Sequence, residues 1–99
     1  MAKYRLTNSS NRDLNEIWEY TYFKWSLKQA DKYYNLLVKS FEKIANDPSF
    51  GKSYDGVATD LRGFKTGRHI IFYESIDEET IEISRILHES MDIKNRLKK

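Results

Sequence analysis

Cysteine is absent from the 99 residues, which excludes a disulfide framework, a thiolate nucleophile and a thiolate metal site. Imidazole is scarce as well. His69 and His88 are the only two histidines, and neither has a carboxylate beside it at metal-ligand spacing, which argues against zinc. No apolar run approaches the roughly 18 residues that a bilayer span needs. Met1-Ala2-Lys3-Tyr4 lacks the apolar stretch of a secretory signal, so a cytoplasmic address is the default expectation. Internal repeats and low-complexity tracts are missing too, and no cofactor is expected.

What is present suits one domain over residues 1–99, because a chain of this size buries roughly two-thirds of the surface its unfolded form exposes, and a second core would be hard to build. Hydrophobic residues make up 39% and charged residues 32%, enough apolar surface to fold beneath a well-solvated exterior. The formal charge of +2 is unevenly spread. Arg62, Lys65 and Arg68 occur in residues 61–69 with no acid, and Lys94, Arg96, Lys98 and Lys99 make the tail basic. Such clusters are either a solvated face and a frayed end, or contacts for phosphates or an acidic protein.

Tyr4-Arg5-Leu6-Thr7 alternates as a strand does, with Tyr4 and Leu6 on one face. Thr7 or Ser10 can cap the helix that follows. From about Asn11 to Trp25, Leu14, Ile17, Trp18, Thr21 and Trp25 recur at helical spacing and define a core-facing stripe. Tyr20, Tyr22 and Phe23 fall outside it; either the next helix and the sheet cover these rings, or they wall a groove for a partner. Ser26-Leu27-Lys28-Gln29 is a capping box, so a second helix starts at once. Its stripe is Ala30, Tyr34, Leu37, Val38, Phe41, Ile44 and Ala45, and Asp47-Pro48 ends it near Asn46. With almost no linker the two helices form an antiparallel hairpin.

Residues 49–60 carry Gly51 and Gly56 and no periodicity, the pattern of a loop. Three strands follow, at about 61–65, 69–76 and 80–87, the first two joined through Thr66-Gly67. The fold class expected is α+β: an N-terminal strand, a helical hairpin, a three-stranded antiparallel meander and a short C-terminal tail. In the last strand Ile81, Ile83, Arg85 and Leu87 share a face unless a bulge shifts the register. A guanidinium among apolar neighbours needs a partner. It snorkels, pairs internally with Glu74 or Asp92, or stands ready for an anion or a carboxylate of another protein.

This order of elements resembles the RelE/ParE toxin superfamily, and the motifs resemble its ParE branch. Asp13-Leu14 opens the first helix, Trp25, Gln29 and Ala30 mark the bend, and Pro48-Ser49-Phe50-Gly51 follows the second helix. Leu61-Arg62, Gly67-Arg68-His69-Ile70-Ile71-Phe72-Tyr73 and Arg85-Ile86-Leu87-His88 with Met91-Asp92 complete the set across nearly the whole chain. Ser26 stands where the family usually has glycine, and Leu61 where an aromatic often precedes the arginine. The serine caps a helix as well as glycine does.

The resemblance implies the toxin of a type II toxin-antitoxin pair, acting on DNA gyrase by protein contact rather than as an enzyme. It also implies neutralisation by a ParD-type antitoxin, whose ribbon-helix-helix part binds DNA and whose C-terminal segment folds over the toxin. DNA would be met only through gyrase or the antitoxin. Trp18, Tyr22 and Trp25 become candidates for the antitoxin groove, and Arg62, Arg68, Arg85 and His88 for target contact. The rival within the superfamily is the RelE-like ribosome-dependent ribonuclease. It would need a base, an acid and phosphate-binding cations; His69 or His88, Asp92 and the arginines are the only material. Glu89 and Ser90 follow His88 in place of the tyrosine often seen in nuclease relatives, which disfavours this reading. A plain nucleic-acid-binding module would need a stronger field than the net charge supplies.

Overall fold

The structure, a computed structural model, describes residues 2–97. The chain runs β1 (Lys3–Leu6), α1 (Asn8–Lys24), α2 (Leu27–Asn46), a 3-10 turn (Pro48–Phe50), β2 (Lys52–Ser53), β3 (Arg62–Thr66), β4 (His69–Ser75), β5 (Thr80–His88) and α3 (Ile93–Leu97). The sheet has five strands in the order β1-β5-β4-β3-β2. β1 lies parallel to β5, and the other pairs are antiparallel. The α+β architecture expected from the sequence is present.

Local chemistry sets the helix ends. Thr7, not Ser10, caps α1: its hydroxyl accepts from the Ser10 amide at 3.1 Å and donates to the Ser84 carbonyl at 3.0 Å. The helix therefore starts at Asn8, earlier than the apolar spacing alone suggests. Ser26 caps α2 as expected, accepting from the Gln29 amide at 3.1 Å, and Asp47 closes the other end before proline. Residues 49–60 are not all loop. Lys52–Ser53 pairs with Arg62 and Gly63 and adds a short fifth strand at the edge. Two residues are too few for periodicity to reveal.

Both faces of the sheet are covered. On one, Leu14, Leu37, Phe41, Ile44 and Ala45 of the hairpin meet Ile71, Tyr73, Ile81, Ile83 and Ile86; each large side chain fully buried there is worth about 1.5–3 kcal/mol. On the other, Leu61, Phe72 and Leu87 are covered by Tyr54 and Val57 of the loop and by Ile93 and Leu97 of α3. The tail through Leu97 thus packs on the sheet instead of fraying, while Lys98 and Lys99 lie outside the described residues. The stripes read from sequence miss at two positions: Trp25 is 70% exposed at the hairpin tip, and Tyr34 is exposed although Ala30, nearer the tip, is buried, with Tyr33 half-buried in its place.

A bulge resolves the parity of β5. Phe72 faces Arg85 but Tyr73 faces Ile83, which leaves Ser84 unmatched. Past it, Ile86 rather than Arg85 continues the helix-side core. Two close approaches hold the far edges. Tyr73 donates its hydroxyl to the Pro48 carbonyl and accepts from the Gly51 amide at 2.9 Å; a Cβ at position 51 would collide with that ring. At the β3–β4 turn Gly67 takes φ +57°, open to glycine at no cost.

Tyr73→Phe leaves the Gly51 amide and the Pro48 carbonyl without this partner. The expected cost is about 1–3 kcal/mol, read as a lower urea midpoint at constant slope; an unshifted midpoint would show that the hydroxyl is dispensable.

Candidate interaction groove

β1 ends at Leu6, opposite Ile83, so from the bulge onward β5 has no strand on that side. Asp13, one and a half turns into α1, supplies what the missing strand would. Its Oδ2 accepts from the Ile86 amide at 3.0 Å and from Arg85 Nε at 2.7 Å, and its Oδ1 accepts from Arg85 Nη2 at 3.0 Å. The side chains are 10% and 28% exposed. The guanidinium's proton affinity is raised further by this carboxylate, against some loss of hydration. The partner of Arg85 is therefore Asp13, not Glu74 or Asp92 as its position in the strand suggested. Asp92 instead accepts from Asn95 and starts α3.

The latch forms one end of a groove of about 870 Å³. α1 provides one wall through Glu16, Ile17, Tyr20 and Thr21, and Trp25 stands at the tip. Ile86 and Leu87 lie on the sheet side, and Arg68, His88, Met91 and Arg96 complete the lining. At the inner corner the Tyr33 hydroxyl accepts from the Arg68 amide at 3.0 Å and lies 2.7 Å from His69 Nδ1. The rings of His69 and His88 meet edge to face, 5.3 Å apart, and His88 Nδ1 takes the Ser90 hydroxyl at 2.7 Å. Burial first, and the neighbouring His88 second, push His69 down to about 4 from its ordinary 6.5, so its imidazole is neutral near neutral pH.

Of the four residues singled out as target contacts, Arg68, Arg85 and His88 come together in this groove. Arg62 does not: it lies at the β2 side of the sheet, donating to the Gly51 carbonyl at 2.7 Å. Arg68 shares Glu89 with Lys65, at 3.2 and 2.9 Å. The aromatic candidates separate as well. Trp25 lines the groove, whereas Trp18 donates to Asp31 at 3.0 Å and stacks on Tyr22 at 5.4 Å, with neither lining it. Tyr20, one of the rings left open in the sequence between cover and groove wall, lines the groove, and so does Tyr33, which the sequence did not single out. Spacing does not separate Tyr33 from Tyr34, because the seven residues from Ala30 to Leu37 divide as three and four through one or four and three through the other. Among the described residues no three of His, Asp and Glu stand close enough to share a metal ion, and no helix is long and apolar enough to cross a membrane.

A strand, a helical hairpin and an antiparallel sheet in this order form the fold seen in ParE- and RelE-type toxins. The chain superposes on one from the chromosomal ParDE toxin-antitoxin system of P. aeruginosa with a TM-score of 0.73, at 16% identity over 89% of this chain and 95% of that one. It superposes on one from the RelBE2 toxin-antitoxin complex of Mycobacterium tuberculosis with a TM-score of 0.66, at 20% identity over 88% and 96%. Sequence narrows the class. Residues 4–93 match the family described as ParE toxin of type II toxin-antitoxin system, parDE. Toxin ParE1 of Mycobacterium tuberculosis is 32% identical over 96 residues, 97% of this chain and 98% of that one. Toxin ParE1 of Caulobacter vibrioides is 33% identical over 97 residues, 98% and 99% respectively. The chain belongs to the ParE toxin family.

Protonating His69 opposes folding. Between pH 6.5 and about 4 the unfolded chain takes up a proton that the folded chain refuses, so this contribution is intact above the window and is lost as pH falls through it. His69→Asn removes that proton. The stability of the unmodified chain relative to the variant should decline across the same window in parallel urea titrations, whereas parallel pH curves would mean that the ring is solvated.

Proposed function

We propose that this ParE-family toxin inhibits DNA gyrase through surface contacts, without breaking bonds itself, and is silenced by a ParD-type antitoxin whose C-terminal segment occupies the groove. It works as a single domain over residues 1–99, in the cytoplasm, and meets DNA only through gyrase or through the antitoxin's ribbon-helix-helix part. The observation that carries the reading is the groove. Tyr20 at 62% and Trp25 at 70% exposure offer apolar surface beside fixed cations, which suits a segment that orders itself on binding. Membership of the ParE family supports the gyrase target by resemblance.

The arrangement of titratable groups supports contact over catalysis. His69 is a weak base tied to Tyr33, Asp92 is engaged by Asn95, and Arg85 is spent on Asp13. A second reading, metal-independent cleavage of messenger RNA on the ribosome, has one observation in its favour: His69, His88 and Arg68 gather at one end of the sheet. A base and an acid in mutual reach of one phosphate are what it still requires.

One reconstitution separates the readings. With gyrase, ATP and relaxed plasmid, the toxin should suppress supercoiling and trap cleaved DNA, and the ribbon-helix-helix antitoxin should restore activity. Trp25→Ala toxin should resist that rescue, requiring about tenfold more antitoxin, with folding changed by no more than about 0.5 kcal/mol, as for an exposed side chain. Unaltered supercoiling together with codon-specific cutting of messenger RNA would replace the first reading by the second.

A further inference from the structure

We propose that the tip of the helical hairpin is a lipid anchor that seats end-on in the headgroup layer of an anionic membrane surface. The proposal centres on residues outside the groove lining and does not rest on the gyrase reading.

Trp25 ends α1 and Ser26 caps α2. Around this bend Tyr22, Phe23, Trp25 and Leu27 are all exposed, Phe23 at 76% and Leu27 at 55%, and full burial resumes only at Ala30. Exposed apolar surface on this scale marks a contact with protein or membrane. Tyr20 and Trp25 also line the groove, but Tyr22, Phe23 and Leu27 do not. Their placement separates the tip from a docking face. Tyr22, Phe23 and Lys24 succeed one another at about 100° around α1 and each is exposed, so apolar surface encircles the end of the helix. A folded partner covers one side and leaves the other wet, whereas an interfacial lipid layer is fluid and closes around the whole end.

The residue types agree with that surface. Tryptophan and tyrosine settle where an apolar ring can sink while its polar atom stays wet, and the hydroxyls of Tyr20 and Tyr22 and the indole nitrogen of Trp25 have no hydrogen-bond partner among the described residues. Charge at the tip is of one sign. Residues 20–30 contain Lys24 and Lys28 and no acid, and neither lysine pairs with a carboxylate among the described residues. Lys24 lies 5.6 Å over the Tyr20 ring, and the nearest acid on the α2 side, Asp31, is engaged by Trp18. Lysine stems let the ammonium groups stay with lipid phosphates while the rings go deeper. Depth fits as well: Tyr22 to Trp25 spans about 5 Å along the axis, within the roughly 5–10 Å of the headgroup and acyl boundary. Single-stranded nucleic acid fits less well, because the Tyr22 ring is already stacked on Trp18 at 5.4 Å and Leu27 offers no ring to a base.

Vesicle flotation with the full chain tests the proposal. The chain should float with phosphatidylglycerol and phosphatidylcholine mixed in equal parts, and about tenfold less with phosphatidylcholine alone. Binding should shift the tryptophan emission to the blue, and the shift should vanish in Trp25→Phe, whose remaining indole, Trp18, is tied to Asp31. Phe23→Gln with Leu27→Gln should lower partitioning by about tenfold or more, and Lys24→Gln with Lys28→Gln by about tenfold on the anionic vesicles only. All these positions are exposed, and unchanged urea midpoints confirm that the variants fold. Absence of flotation, or flotation of the unmodified chain without a blue shift, would overturn the proposal. Flotation that persists in Phe23→Gln with Leu27→Gln but disappears in salt would overturn it too, by assigning the contact to diffuse positive charge. Tip-dependent binding of oligothymidylate without flotation would replace lipid by single-stranded nucleic acid.

Discussion

A single carboxylate finishes the sheet where a strand runs out. After Leu6 the chain turns into α1, and β5 goes on alone past Ile83. The amide of Ile86 would be an orphan in an otherwise paired ladder, at a cost of about 1–3 kcal/mol if buried and unmet. Asp13 meets it, and with its other lone pairs holds Arg85 by two hydrogen bonds. The bulge at Ser84 is what turns Arg85 toward that helix while returning Ile86 to the core. Cap, bulge and ion pair therefore act as one device: Thr7 ties the start of α1 to the Ser84 carbonyl, and Asp13 ties its second turn to the next two residues. The angle at which α1 leaves the sheet is fixed there, and with it the width of the groove beyond.

Much of this was legible in the sequence where the physical signal is local. The Ser26 capping box, the Pro48 stop, the glycine turn at Gly67 and the β-branched runs of β4 and β5 each announce an element through the chemistry of a few adjacent residues. What was not legible depends on distant partners. An arginine in an apolar stripe signals that a partner is required, but Asp13 lies 72 residues away and no spacing rule links the two. The edge strand β2 is made by its neighbour β3 rather than by its own two residues. The helical stripes failed at the hairpin tip for the converse reason: spacing says which residues share a face, not how far the sheet beneath extends. Trp18 and Trp25 share a periodicity, yet one bonds Asp31 and the other stands over the groove.

The same distinction bears on function. Cations were visible as a cluster in the sequence, and the structure shows most of their charge already committed: Arg85 to Asp13, Arg68 and Lys65 to Glu89, Arg62 to a backbone carbonyl. Arg85 is held between helix and strand, whereas Arg68 and Lys65 stay well exposed in a surface ion pair. His69 is kept neutral by burial and anchored to Tyr33, a role that shapes the corner where β4, β5 and α2 meet. On the function proposed above, the exposed rings of Tyr20 and Trp25 are the apolar anchors onto which an antitoxin segment folds.

The latch is open to direct measurement by a double-mutant cycle in urea, with Asp13→Leu, Arg85→Met and the pair together. If the carboxylate and guanidinium act as one unit, each single change strands a poorly solvated charge, and the double variant is less unstable than the sum of the two by about 2 kcal/mol or more. Additivity within about 0.5 kcal/mol would mean that the two groups stabilise the sheet edge independently, and that the course of α1 is set elsewhere.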